Sequence, residues 1–453
     1  MHSSFRLGEF STMALMASGV AWGVPAPASA EITGVTVADS KEIGPFQGKL
    51  YVEINARMEG TAPGGAYSVP ITLALPKNAA DHNGFVVVDA VNTITIYFDN
   101  WVLGGQPLPL ARGHMGDEFL FGRGHAYVSV IWDKTAIEAL KNGTISVAAD
   151  GYTILRDTAA LARNPGGHLP ADAGLAEMVG SDRLIAYGYS QTGALLRGWY
   201  FDHLNSAEGD PTFDGALIGG TSGGCLDLAS GGFKGCAGPV SDGGKVIAFM
   251  AETDAEWGGF DERGESPDFR LIEIAGVSHI PATAADFRKH GMPEQNPIGF
   301  EPVVRAALVN LEAWIDGQEP PPSVHLTLSD AAPTEFEGVP LRAAERDGDG
   351  NALGGLRLPH MPTLLDGGEK IGAPLGHYTG LAVDHLGKNS YFLISGTFEP
   401  FSPEKLATIY PDHDAYVDAV AASASRLVAE RYILPEDAEA YIAAAKAADI
   451  GLR

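Results

Sequence analysis

The stretch Leu184-Ile185-Ala186-Tyr187-Gly188-Tyr189-Ser190-Gln191-Thr192-Gly193-Ala194-Leu195-Leu196-Arg197 changes its hydrophobic period within a few residues, and it constrains the fold more tightly than any other segment. Leu184 to Tyr187 form a mostly apolar run, as a buried strand requires, and after Ser190 the pattern is that of a helix running towards His203. A glycine-flanked serine occupies the point of change. A strand that turns sharply into a helix holds such a serine in a strained backbone, with its Oγ exposed above the sheet and the helix N-terminus beneath it. Gly188 and Gly193 keep side chains out of the crossing. The G-x-S-x-G spacing is not met, because Thr192 takes the second glycine position and the glycine follows one residue later. The bare pattern also fits a plain strand-to-helix turn; the flanking strand and helix make it informative.

A buried strand needs a sheet, and the chain supplies one. Phe85 to Ala90 and Tyr127 to Trp132 are apolar runs suited to strands covered on both faces, and Gly215 to Gly220, Lys245 to Met250 and Phe269 to Ile274 continue the series. Helical patterns fall between or after them at Glu118 to Phe121, Thr153 to Arg163 and Val303 to Trp314. This alternation predicts an α/β fold with a mostly parallel central sheet and flanking helices. Upstream, Glu31 to Leu75 alternates with period two and predicts antiparallel strands at one edge. Residues 324–402 read as strands and long loops. Asp414 to Glu430 and Pro435 to Ala447 form a C-terminal helical extension, the second helix opening with Pro435 at its first position. One elaborated domain over 31–453 is expected, with a sub-boundary at the proline run near 319–323.

The 453-residue chain has a 45% hydrophobic share and a formal net charge of −27, so it can bury a large core and is repelled by nucleic-acid phosphates and anionic lipid. Residues 1–30 read as a cleaved export signal: Arg6 begins it, Met13 to Ala21 give an apolar core, and Ala28-Ser29-Ala30 is a small-residue cleavage site. Glu9 is an awkward acid in that reading. A membrane anchor fits less well, because Gly19, Gly23, Pro25 and Pro27 interrupt the run. A periplasmic or secreted protein without a membrane span is therefore expected. In an oxidising compartment Cys225 and Cys236, closing a glycine-rich loop, predict a disulfide worth roughly 2 to 3 kcal/mol.

A serine hydroxyl needs a histidine to take its proton and a carboxylate to hold that histidine's tautomer. Where a strand-to-helix serine is used, the partners follow in the order acid, then histidine. Met250-Ala251-Glu252-Thr253-Asp254 closes one late strand, and Ala275-Gly276-Val277-Ser278-His279 follows the last. Asp254 is preferred as the acid for its loop depth, with Glu252 the alternative. Of the 13 histidines, His279 alone follows both serine and acid at a strand end; His114, His125, His203, His360 and His413 read as surface or loop residues. Two N–H groups must serve an oxyanion, one from Gln191 and one from the loop beginning at Val91-Asn92-Thr93, for which Asn92 is the candidate. Tyr97, Phe98 and Trp101 line a substrate pocket or pack under a loop.

Asp347-Gly348-Asp349-Gly350-Asn351 resembles the start of a calcium loop, but Ala352 and Leu358 stand where glycine and a bidentate ligand belong, so it reads as a polar turn. There is no phosphate-binding loop, dinucleotide fingerprint or H-E-x-x-H run, and neither metal nor cofactor is expected.

Together, Gly188-Tyr189-Ser190-Gln191-Thr192-Gly193, Glu252-Thr253-Asp254, Ala275 to His279, Asp89-Ala90-Val91-Asn92 and Gly354-Gly355-Leu356-Arg357-Leu358-Pro359 resemble the bacterial "alpha/beta hydrolase domain" family of large, often exported serine hydrolases. The likeness runs over most of the chain after residue 30. It implies an α/β-hydrolase fold and carries over Ser190, His279 and the Glu252/Asp254 pair. The resulting expectation is a serine esterase acting on a small-molecule carboxylic ester through an acyl-enzyme on Ser190. The alternatives are an amidase or lactonase, or a non-catalytic hydrolase-fold protein that binds a small molecule or sugar.

Overall fold

The computed structural model describes residues 31–93, 108–133, 150–169, 181, 183–221, 224–228, 232–236, 241–257, 266–283, 287, 291–292, 294–329, 334–336, 339–364, 370–382 and 393–451. The export signal expected at 1–30, and Tyr97, Phe98 and Trp101, lie outside them.

Eleven strands matter here: β1 (Ile32–Phe46), β2 (Lys49–Ala62), β3 (Gly65–Pro76), β4 (Phe85–Ala90), β5 (Ala126–Val130), β6 (Arg183–Tyr189), β7 (Gly215–Gly219), β8 (Gly224–Asp227), β9 (Gly232–Gly235), β10 (Lys245–Ala251) and β11 (Phe269–Ile274). Nine of them form one sheet in the order β1-β2-β3-β5-β4-β6-β7-β10-β11. From β5 to β11 every neighbouring pair is parallel. The N-terminal β1, β2 and β3 are antiparallel and extend the β5 edge. The architecture is the α/β-hydrolase fold.

The helices used here are α1 (Leu110–Met115), α2 (Asp117–Gly122), α3 (Gly151–Arg163), α4 (Gln191–Phe201), α5 (Glu252–Glu256), α6 (Glu301–Ile315), α7 (Pro403–Ile409), α8 (His413–Ala429) and α9 (Pro435–Ala447). Alternation along each strand divides the core in two. Val86, Val88, Leu184, Ala186, Val246 and Ala248 face α3 and α4, where Leu161, Leu195 and Trp199 meet them. Phe85, Val87, Ile185, Tyr187, Ile247 and Phe249 face the other way, onto Val304, Leu308 and Leu311 of α6. Covering both faces with helices is why these strands are apolar throughout.

The proline run does not lead the chain away from the sheet. Val324 donates to Leu271 O at 2.9 Å and accepts from Glu273 N at 3.0 Å; further on, Leu356 donates to Glu273 O at 2.7 Å and accepts from Ala275 N at 2.9 Å. Gly354 and Gly355, at φ 73° and 67°, make that second approach. In the tail, Asn310 Nδ2 of α6 donates to Arg431 O at 2.8 Å, and Tyr432 OH to Pro322 O at 2.9 Å.

Cys225 and Cys236 are disulfide-bonded across the β8-β9 hairpin. The hairpin lies on α4, where a Cβ on Gly198 would press on Leu226 O. Among the described residues no helix is long and apolar enough to cross a membrane.

One histidine expectation is corrected, that of His114, while His125 lies in a loop as expected but is buried there. His125 has no exposed surface: its Nδ1 bonds Leu120 O at 2.9 Å and its Nε2 meets Glu312. His114, on α1, is buried beside Tyr189. Both lie inward because the neighbouring elements fold over them, a long-range effect that a single sequence position does not carry.

Candidate active site

The turn from β6 into α4 places Ser190 at φ 60° and ψ −119°, a region sparsely used by residues other than glycine. Its N–H donates to Gly219 O and its carbonyl accepts from Ala194 N, each at 2.9 Å. A Cβ on Gly188 would collide with Thr192 O, and one on Gly193 with Gly219 O of β7. Gly193 therefore takes the close-packing role one residue late. Thr192 stands in the second glycine position, and its hydroxyl bonds back to the strand end. It accepts from Tyr189 N at 3.0 Å and donates to Tyr189 O at 3.2 Å.

The structure brings Ser190, His279 and Asp254 together. His279 Nε2 lies 3.1 Å from Ser190 Oγ, and His279 Nδ1 lies 2.7 Å from Asp254 Oδ1. A carboxylate only accepts, so Nδ1 carries the proton and Nε2 is left to accept from the hydroxyl. Asp254 is fully buried, and its other oxygen accepts from Ala251 N at 3.0 Å, holding the carboxylate against the first turn of α5.

Glu252 is equally buried but faces elsewhere. Its Oε2 accepts from Gly276 N at 2.7 Å, and its Oε1 from Gly380 N at 3.0 Å and Arg346 Nη2 at 2.7 Å. The same guanidinium reaches Glu256 Oε1 at 3.3 Å. Burial, and then the adjacent charge of Glu252, push the Glu256 carboxyl upward. His279 N donates to Thr253 Oγ1 at 2.9 Å, and that hydroxyl donates to Gly380 O at 2.5 Å.

Sequence reasoning missed Thr253, Arg346 and Gly380. Thr253 sits between the two candidate acids, but its role depends on a carbonyl 127 positions away. Arg346 adjoins the run Asp347 to Asn351 and carries no signal of its own. In that run Asp347 Oδ1 accepts from Asp349 N and Asn351 N, both at 2.9 Å, and Asn351 Oδ1 accepts from Tyr378 N at 3.0 Å. Its oxygens hold a turn together.

At the oxyanion side, Gln191 opens α4 directly after Ser190, so its main-chain N–H lies in the first turn of the helix. Gln191 Oε1 accepts from Thr93 N at 3.0 Å and from Thr93 Oγ1 at 3.2 Å, which ties the loop after β4 to the elbow. Asn92 requires a correction as a main-chain donor. Its N–H is committed to Leu108 O at 3.1 Å in an antiparallel bridge, while Nδ2 donates to Tyr189 O at 3.2 Å.

Beneath this surface Asp89, at the end of β4, accepts from Ala111 N at 2.9 Å and Tyr127 OH at 2.8 Å. Burial raises its carboxyl to about 7. Burial also lowers His114 to about 3, with the nearby His279 adding to the effect.

A family model described as "Alpha/beta hydrolase domain" matches residues 45–443. No curated protein matches the chain in sequence. Among solved structures, a Klebsiella pneumoniae protein assigned as a dienelactone hydrolase is 11% identical, covering 55% of this chain and 94% of its own, with a TM-score of 0.29. A glucuronoyl esterase from Teredinibacter turnerae is 17% identical (46% of this chain, 49% of the esterase, TM-score 0.25). Lipase A from Candida antarctica is 16% identical (41% of this chain, 42% of the lipase, TM-score 0.25). The chain thus spans about half or less of the esterase and lipase it matches.

Proposed function

Because this chain belongs to the alpha/beta hydrolase domain family, and with it to the hydrolase class, we propose that it is a serine esterase cleaving small-molecule carboxylic esters. Ser190 Oγ attacks the ester carbonyl while His279 Nε2 takes its proton; the same imidazole then protonates the leaving alcohol. Asp254 holds the imidazole's tautomer and balances the charge it acquires. Water, activated by His279, hydrolyses the acyl-enzyme. The main-chain N–H of Gln191 is one donor to the oxyanion. The second donor in this proposal is the Thr93 hydroxyl, which in the structure bonds Gln191 Oε1 beside the elbow.

One observation carries this reading: a serine at positive φ at a strand end, 3.1 Å from an imidazole that is itself 2.7 Å from a buried carboxylate. A fluorophosphonate probe should label the wild type and leave Ser190→Ala unlabelled, with ester hydrolysis lost in parallel. A folded wild type that resists labelling and hydrolyses no p-nitrophenyl ester of any chain length would point to a non-catalytic binding protein. Export of the chain is part of the proposal and is supported by the Cys225–Cys236 bond, since such bonds persist in oxidising compartments.

A further inference from the structure

Tyr189 closes β6 immediately before Ser190, and the chemistry above gives it no task. It is 5% exposed, and its ring lies against the imidazole of His279, with centroids 5.1 Å apart and planes 29° from parallel. Its hydroxyl donates to the main-chain carbonyl of His279 at 2.8 Å. The ring is held on its other sides by Phe249 and Phe300, at 5.8 and 5.1 Å, and by the edge of His114 at 4.8 Å. Gly220, at φ 61°, leaves the space for this stack: a Cβ there would lie 3.0 Å from His279 Cε1 and against the Tyr189 ring.

Resting on the serine-hydrolase reading, we propose that Tyr189 is a positioning residue for His279, its ring face supporting the imidazolium formed during acyl transfer and its hydroxyl anchoring the loop that carries it. An aromatic face attracts a cation more strongly than the same group when neutral. The contact therefore strengthens as His279 takes the serine proton, and an interaction that grows towards the transition state raises kcat rather than lowering KM. Asp254 from α5 and Ser190 from the elbow face the imidazole directly. Across Tyr189 stand His114 of α1, Tyr187 of β6 and Glu301 of α6. His114 is kept neutral by burial, so it adds no second positive charge.

The test replaces Tyr189 by phenylalanine and then by phenylalanines carrying one, three and five fluorines, introduced at this codon alone. Volume changes little along the series while the ring face loses its negative character. Tyr189→Phe should lower kcat about 2- to 5-fold with KM unchanged, reporting the lost hydrogen bond. Progressive fluorination should lower kcat a further 3- to 30-fold, on the order of a desolvated cation–π contact, and move the acid limb of the pH–rate profile to lower pH. A merely structural ring gives a flat series, and a flat series, or one changing KM alone, overturns the proposal. Fluorophosphonate labelling separates the two levels. If the wild type is labelled, Ser190→Ala is not, and the series is flat, Tyr189 has no such role and the esterase reading stands. If the wild type is not labelled, the reading falls and takes this proposal with it.

Discussion

Glu252 and Asp254 stand two positions apart on one helical turn, fully buried, and their carboxylates serve different parts of the same loop: Asp254 Oδ1 meets the imidazole of His279, while Glu252 Oε2 accepts from the main chain of Gly276. The two substitutions should therefore separate. Asp254→Asn should lower kcat by about 10³- to 10⁴-fold at nearly unchanged stability, because an amide no longer selects the productive tautomer. Glu252→Gln should act first on stability, losing about 1–3 kcal/mol, because an amide NH2 must face the N–H of Gly276 or the donors Gly380 N and Arg346 where a carboxylate oxygen accepted. Steady-state kinetics and denaturant titration of both variants decide this; a Glu252→Gln protein of wild-type stability with the larger loss of kcat would reverse the assignment.

The backbone of Ser190 is strained for a residue with a Cβ. Ser190→Gly should abolish esterase activity and raise stability by about 1 kcal/mol, since glycine populates positive φ freely. Urea unfolding of Ser190→Gly beside Ser190→Ala isolates the backbone contribution, and equal stability of the two would argue against strain at the turn.

The buried carboxyl of Asp89 titrates at about 7 in the folded chain, above its ordinary value of 3.8. The folded state thus holds this proton more tightly than the unfolded chain. The stability contribution is fully present below about pH 4 and is lost as pH rises through 7. Asp89→Asn, which cannot ionise, should gain on the wild type across that window by on the order of 2–4 kcal/mol. Unfolding free energies of the two proteins at pH 4, 6 and 8 test it; a difference independent of pH would show that Asp89 does not titrate there.

Opening the Cys225–Cys236 bond, by reduction or by the double serine variant, should cost about 2–3 kcal/mol in the loop-entropy picture. The hairpin it closes rests on α4, where Arg197 Nη2 donates to Cys236 O at 2.5 Å. A modest fall in kcat should accompany the lower Tm, and an unchanged Tm would show that packing alone holds the hairpin.

Much of the sheet was legible because burial is written locally. Val86 and Val88 alternate with Phe85 and Val87, and every one is apolar because helices cover both sides. The candidate elbow was legible from the period change at Ser190, and the positions of Glu252, Asp254 and His279 from their places at strand ends. The segment returning at Val324 and Leu356 was not, because it touches the β11 edge through single bridges with no periodic signature.

The sequence by itself determined the central strands, the larger helices that cover them and the sharp turn at Ser190, since hydrophobic period and glycine placement act over a few neighbours. Only the tertiary structure decided what each polar atom bonds. Arg346 and Gly380, about a hundred residues beyond the loop they brace, occupy Glu252 and leave Asp254 to the imidazole, while Leu108 takes the Asn92 amide. A hydrogen bond depends on ångström-scale approach and on having no better partner nearby, and both are set by chain segments that meet only once the sheet has formed.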